Sequence, residues 1–162
     1  MPLSVGDALP DVPLTAVTAE GPAEMSKSDL FAGKKVVLFA VPGAFTPTCN
    51  NNHLPSYVKH AGDLKAKGVD TIAVVSVNDP FVMAEWKKAG DPDDAITFLA
   101  DGSATFTTAA DMVLDGSAFG LGSRSLRYAA VVDDGVISAL AVEDSPAEAK
   151  ASSADAILTM LD

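Results

Sequence analysis

Thiols are almost absent from this chain: among its 162 residues stands one cysteine, Cys49. A lone cysteine excludes an internal disulfide and any zinc site built from four cysteines. Histidine is nearly as scarce, His53 and His60 being the only two, so a Cys/His metal centre lacks ligands. Positive charge is sparse too, with 11 Lys and Arg against 22 Asp and Glu and a formal net charge of −11. Nucleic acids and anionic membranes are held by clusters of Lys and Arg, so both are excluded as partners, and the acidity reads as solubility. Although 48% of the residues are hydrophobic, no apolar run reaches the roughly 18 residues that span a bilayer. The start, Met1-Pro2-Leu3-Ser4-Val5-Gly6-Asp7, has neither the basic end nor the apolar stretch of a secretory signal. These absences lead to the expectation of a cytoplasmic protein folded as one domain over residues 1–162.

What is present is a regular alternation of strand and helix signals. Residues 1–30 are punctuated by Pro2, Gly6, Pro10, Pro13, Gly21 and Pro22, which predicts loops with short strands at most. Ser28–Phe31 followed by Gly33 predicts one helical turn. Lys34–Val41 is an apolar run too short for a helix, the pattern of a strand buried on both faces of a parallel sheet. Leu54, Tyr57, Val58, Ala61 and Leu64 fall on one helical face up to Gly68, with Pro55 expected to bend the early part. Thr71–Val77 and Ile96–Ala100 predict two further strands. Asn78-Asp79-Pro80 caps a helix running through Ala89 between them, and a short helix is expected around Ala104–Asp111. Arg127–Val132 and Val136–Val142 flank Asp133-Asp134-Gly135, a hairpin signal. A closing helix from Ser145 or Ser152 to Leu161 is expected to bury Ala156, Ile157, Met160 and Leu161. The order predicts an α/β protein of thioredoxin-like type, a mixed sheet with helices on both faces.

The chemistry is concentrated in Pro42-Gly43-Ala44-Phe45-Thr46-Pro47-Thr48-Cys49, between the first central strand and the next helix. Ligands gather at this carboxyl end of strands in open α/β sheets. A cysteine in the first turn of a helix meets free backbone N–H groups and the positive dipole end, which favour an anion, and the thiolate is the attacking form. Thr46-Pro47-Thr48-Cys49 stands where thioredoxins carry Cys-x-x-Cys, with threonine for the first thiol. A hydroxyl cannot exchange disulfides, but it can donate and accept hydrogen bonds to hold one oxygen of a peroxide. Blander readings stand beside these: Thr46 as a helix cap, Pro42 as a strand stop, Cys49 as an inert buried thiol.

Pro42-x-x-x-Thr46-x-x-Cys49 resembles the peroxiredoxin signature. The fuller string Val41–Cys49 with His53-Leu54-Pro55, the segment Ser76–Met83 with Trp86, and Arg127-Tyr128-Ala129 running into Val132–Gly135 resemble the type II, or peroxiredoxin-V, subfamily. The likeness extends from about residue 3 to 142. It implies a thiol-dependent peroxidase in which Cys49 attacks the peroxide, Thr46 positions it with its hydroxyl and shares a hydrogen bond with the cysteine sulfur, Pro42 shields the thiolate, and Arg127 holds the sulfur and polarises the departing oxygen. Arg127 is preferred to Arg124 because it abuts the apolar strand and matches the family position. His53, Phe45 and Arg124 are expected in the substrate-binding or surrounding shell. His60 is expected to be solvated, and Trp86 and Phe81 to serve the core or a subunit contact. Neither cofactor nor metal is implied.

Many relatives carry a second, resolving cysteine; here Ser152 and Ser153 in the C-terminal region, and Val74 and Val75 in the second strand, stand where some carry it. The cycle implied is of the one-cysteine type. Hydrogen peroxide and alkyl hydroperoxides are reduced, and an external thiol, glutathione with glutaredoxin or thioredoxin, restores the enzyme. A homodimer through the loops near Phe45 and Phe81 is implied by the same likeness. The competing reading is a redox-sensing or chaperone-like protein switched by oxidation of Cys49; a thiol transferase is disfavoured by the missing second thiol.

Overall fold

The run Val36–Val41 is buried throughout and forms β3 (Lys35–Val41), an interior strand of a seven-stranded sheet in the computed structural model, which describes residues 1–161. Branched and aromatic side chains on both faces suit a strand that is covered on both sides. β3 pairs in parallel with β4 (Thr71–Ser76), which pairs in parallel with β5 (Thr97–Ala100). On the other side β3 pairs antiparallel with β8 (Tyr128–Asp133), which pairs antiparallel with β9 (Val136–Val142). β1 (Leu14–Thr18) and β2 (Gly21–Met25) form a hairpin whose β1 runs antiparallel against β5. The sheet order is therefore β2-β1-β5-β4-β3-β8-β9, with parallel crossovers in the middle and antiparallel pairs outside.

Alternate residues of the central strands feed two cores. Val37, Phe39, Val74, Phe98 and Val131 pack under α2 (Leu54–Lys59), α3 (Ala61–Ala66), α4 (Pro80–Gly90) and α6 (Ala154–Met160). Val36, Leu38, Val75, Leu99 and Val132 pack under α1 (Lys27–Phe31) and α5 (Thr105–Ala109). The expected α/β order with helices on both faces is thus observed. The caps behave as their residues dictate: Ser26 and Asp29 form a capping box for α1, Asp79 accepts from Phe81 N–H and Val82 N–H, and Ser153 caps α6. The β8–β9 turn places Asp134 and Gly135 at φ of 48° and 82°, the left-handed region that this hairpin requires.

Three details differ from the sequence-based expectation. The helix expected from Leu54 is broken at His60 (φ −101°, ψ 11°) and not bent at Pro55. Pro55 lies instead in the first turn of α2, directly after a π-helical turn at Cys49–His53 in which Leu54 N–H reaches Cys49 O. Pro55 has no N–H for the carbonyl four residues back, so the regular ladder misses a rung where the turn widens. Met160 is 43% exposed and Ala156 only half-buried, whereas Ile157 and Leu161 are buried as expected and Ala154 joins them. A small hairpin, β6 (Val113–Asp115) with β7 (Ser123–Ser125), was not anticipated, and Gly120-Leu121-Gly122 belongs to the turn region that joins it.

Phe39 links the sheet to the helical layer through a stack on Tyr57, with ring centroids 4.0 Å apart, and a tilted contact with His53 at 4.9 Å. Removing this fully buried ring leaves a cavity as well as lost transfer energy. Phe39→Ala is expected to lower stability by about 3–5 kcal/mol, read from urea unfolding curves.

Candidate active site

Pro42 ends β3, and the chain turns through Gly43-Ala44-Phe45 into a helical start at Pro47. The loop is tightly held. Asn78 Oδ1 accepts Ala44 N–H at 3.0 Å and Ser76 Oγ–H at 2.6 Å. Phe45 adopts φ 63°, a conformation that costs a non-glycine residue of order 1–3 kcal/mol and persists only where its surroundings impose it. A Cβ on Gly43 would lie 3.0 Å from Arg124 Nη1 and 3.1 Å from Thr46 Cγ2, so glycine permits a close approach here. Arg124 bonds Val77 O at 3.1 Å and Leu121 O at 2.9 Å, bracing this loop from outside.

The loop delivers Cys49 to the first position of the π-turn, where the residue has 0% exposure. The sulfur is not isolated among aliphatic groups. Arg127, just ahead of β8 and 2% exposed, points Nη2–H at Cys49 Sγ across 3.0 Å. The same guanidinium donates from Nε and Nη2 to Pro146 O at 3.1 and 3.0 Å, and from Nη1 to His53 Nδ1 at 2.9 Å. Because Nδ1 accepts, the His53 proton sits on Nε2, which donates to Ser152 O at 2.9 Å. Four of the five guanidinium N–H groups are thereby used, and one on Nη1 remains for a ligand.

Thr46 and Pro42 line, with Arg127, a cavity of about 340 Å³ walled on its other side by Leu114, Phe119 and Leu121. Thr46 Oγ–H donates to Gly43 O at 2.7 Å, which leaves its oxygen lone pairs as acceptors. The hydrogen bond expected between Thr46 and the sulfur is not formed among the described residues, because the hydroxyl hydrogen is spent on Gly43 O. The wall residues come from the unanticipated β6–β7 hairpin and its turn region, where three-residue strands carry too little pattern to be read from sequence.

Arg127 is therefore the link: it bonds Cys49 and His53, and it lines the cavity with Thr46 and Pro42, whereas Cys49 and His53 lie behind that lining. Arg124 braces the loop through Val77 O, and Phe45 is 48% exposed. Trp86 is fully buried and donates to Asn50 Oδ1 at 3.1 Å, anchoring the π-turn. His60 is not simply solvated; it bridges Asp63 at 3.0 Å and Asp155 at 2.7 Å.

Residues 4–158 match the Redoxin family model. A rice (Oryza sativa subsp. japonica) Peroxiredoxin-2C is 49% identical over 144 residues, 88% of this chain and 89% of that protein. Arabidopsis thaliana Peroxiredoxin-2B is 45% identical over 161 residues, 99% of each chain. The chain belongs to the peroxiredoxins. A reduced Prx3 from Vibrio vulnificus, solved in complex with hydrogen peroxide, superimposes with a TM-score of 0.92 at 50% identity over 99% of each chain. The fold of this peroxiredoxin is thioredoxin-like, and its activity is that of a thiol peroxidase. No helix among the described residues is long and apolar enough to cross a membrane.

Burial and then the Arg127 charge lower the His53 pKa from its ordinary 6.5 to about 4, with the Ser152 carbonyl and Glu143 opposing the shift. The ring is neutral at physiological pH and can act as the acceptor that Arg127 needs. In the unfolded peroxiredoxin the same ring protonates near 6.5, so unfolding takes up a proton between these values. The stability tied to the neutral ring is complete above about pH 6.5 and is lost as the pH falls toward 4, to the extent of ~3 kcal/mol. The difference in unfolding free energy between wild type and His53→Gln should shrink accordingly between pH 7.5 and 4 in denaturant titrations. A pH-independent difference would contradict the neutral assignment.

Proposed function

We propose that this peroxiredoxin reduces hydrogen peroxide and alkyl hydroperoxides at Cys49 by a one-cysteine cycle, with Arg127, Thr46 and Pro42 as its catalytic partners. The observation that carries the reading is the 3.0 Å contact between Arg127 Nη2 and Cys49 Sγ, made by an arginine that also lines the Thr46 cavity. The thiolate attacks the terminal oxygen of ROOH, the O–O bond breaks, and Cys49 becomes a sulfenic acid while RO⁻ leaves and is protonated to ROH. Thr46 Oγ accepts the peroxide O–H, since its own hydrogen is committed to Gly43 O. The remaining Nη1–H of Arg127 meets the departing oxygen with a charge that does not titrate. Pro42 limits water at the sulfur.

An external thiol R′SH then condenses with the sulfenic acid, releasing water and leaving a mixed disulfide, and a second thiol restores Cys49 and departs as R′S–SR″. Glutathione with glutaredoxin, or thioredoxin, is the proposed class of reductant, because the chain has no second cysteine. A cytoplasmic setting fits, since thiol pools there are kept reduced. The hydrogen peroxide complex of the similar Vibrio vulnificus Prx3 supports the substrate assignment.

In assays of kcat/KM with hydrogen peroxide and an organic hydroperoxide, Cys49→Ser is expected to show no turnover. Arg127→Gln should lose about 10²–10³-fold and Thr46→Val about 10²-fold, each with the fold retained. Arg124→Gln should lose less than tenfold, since Arg124 braces the loop and does not reach the sulfur. Equal losses for the two arginines would undo the assignment.

The proposed homodimer is supported by exposed aromatic rings beside the site. Ala44 and Asn78 are hydrogen-bonded, which brings together the loops that carry Phe45, 48% exposed, and Phe81, 71% exposed. Solution scattering should return twice the chain mass at micromolar concentration, and Phe81→Glu should return it to one chain. A monomeric wild type would remove this part of the reading.

A further inference from the structure

The mechanism leaves the segment after β9 unexplained, although two of its carbonyls support the reactive residues. Glu143 follows β9, and its backbone N–H donates to Arg127 O at 3.0 Å, so the two residues face each other at the end of the sheet. The Glu143 side chain turns along the loop that follows. Its Oε2 accepts Ser152 N–H at 2.7 Å and Ser152 Oγ–H at 2.5 Å. Partial burial would raise its pKa, but the Ser152 hydroxyl and the backbone N–H groups of Ser152, Ala151 and Lys150 outweigh that and hold it below the ordinary carboxylate value. One carboxylate thus closes residues 144–151 into a loop.

Inside the loop a local turn forms, with Ala147 N–H on Ser145 Oγ at 3.2 Å and Glu148 N–H on Ser145 O at 3.1 Å, and Ser153 Oγ–H meets Lys150 O at 2.8 Å. Apart from the Arg127 and Thr48 contacts, none of these bonds ties the loop to the sheet or to the helix of Cys49. Pro146, Ala147 and Glu148 are exposed. Thr48 Oγ–H reaches Ala147 O at 3.0 Å, and Lys150 pairs with Glu148 only at 3.7 Å in the open. Yet Pro146 O, inside this loop, takes two of the four Arg127 hydrogen bonds. Ser152 O, at its end, takes the His53 Nε2–H and the Tyr57 hydroxyl, the latter at 2.6 Å. Burial and then Glu143 push the Tyr57 phenol well above its ordinary value, so it remains a donor.

We propose that Glu143 is a positioning residue for peroxide reduction: its carboxylate closes the 144–151 loop so that the Pro146 and Ser152 carbonyls hold Arg127 and His53 against Cys49. The inference rests on the reading that Arg127 serves Cys49, and it adds the residue that sets the guanidinium's direction. Glu143 touches neither substrate nor sulfur; it acts through the loop. Opening the loop frees the guanidinium to rotate, and a misplacement of about 1 Å at such a group can cost as much as 10²-fold in rate.

The test compares wild type, Glu143→Gln, Ser152→Ala, Glu148→Gln, Arg127→Gln and the Glu143→Gln/Arg127→Gln pair. Two quantities are read: kcat/KM for hydrogen peroxide, and the pH profile of Cys49 alkylation by iodoacetamide, which a purely structural role would leave in place. Glu143→Gln should lower kcat/KM about tenfold and move the alkylation profile to higher pH. Ser152→Ala, which removes one of the carboxylate's bonds but keeps the carbonyl, should lower it roughly two- to threefold. Glu148→Gln should match wild type. The double variant should be no slower than Arg127→Gln, the signature of one residue acting through another. Far-UV circular dichroism checks the fold, and if Glu143→Gln fails to fold, Ser152→Ala alone and combined with Arg127→Gln decides by the same criterion. Wild-type behaviour of the Glu143 and Ser152 variants beside a slow Arg127→Gln overturns the inference and leaves the site reading intact. Additive losses in the double variant also overturn it, and a wild-type rate for Arg127→Gln overturns both.

Discussion

A guanidinium taken out of water is the constraint on which the site is built. Removing such a charge from solvent costs several kcal/mol even after relaxation, so it must be surrounded by acceptors. Arg127 is 2% exposed and has no carboxylate within 4.0 Å among the described residues; its partners are a carbonyl used twice, a neutral imidazole and a sulfur. These occupy four of its five N–H donors and do not neutralise its charge. In the proposed reaction, negative charge on the sulfur before attack and on the departing oxygen after it supplies what the surroundings withhold. The energetic logic is that of a preorganised electrostatic site, in which the donors stand in place before the charge develops.

Such an arrangement needs the sulfur and its supports to face the same point, and the π-turn provides this. Cys49 and His53, four residues apart, both meet Arg127, while Asn50 is tied to Trp86 on the side of α4. The Phe39 and Tyr57 rings pack beside the imidazole and keep water from it. A widened turn lowers the regularity of the helix, and such turns recur where function requires side chains to be re-aimed. Pro55 makes the widening local, because the missing N–H interrupts the ladder there and not elsewhere.

Much of this was legible in the amino-acid order because the central strands obey a simple rule. Val36–Val41 and Ile72–Val75 are apolar without alternation since both faces of a parallel sheet are covered, and Asp134-Gly135 announces its turn by the φ it needs. The grouping of Thr46, Cys49 and Arg127 was legible through its likeness to a family and through the strand that Arg127 abuts. The β6–β7 hairpin was not, because three residues such as Ser123–Ser125 carry no periodicity. Nor was the contribution of Pro146, Ser152 and Glu143. Two of these act through backbone carbonyls, which every residue owns, so no side-chain pattern marks them. The only sequence signal was a negative one, serine where a second thiol might have stood.

That substitution bears on the kind of cycle the fold sustains. A resolving thiol carried by the C-terminal loop has to travel to the sulfenic acid, and any such movement takes the Pro146 and Ser152 carbonyls away from Arg127 and His53. The guanidinium would then lose acceptors at the moment when it must be rebuilt for the next peroxide. Here Ser152 is committed to Glu143 through both N–H and hydroxyl, and the loop carries no thiol for the exchange. In the proposed cycle the reductant comes from outside, and exchange makes no demand on the cradle of Arg127. Placing the second thiol on another molecule thus separates two demands, mobility for exchange and rigidity for attack, that a single loop would have to meet in turn.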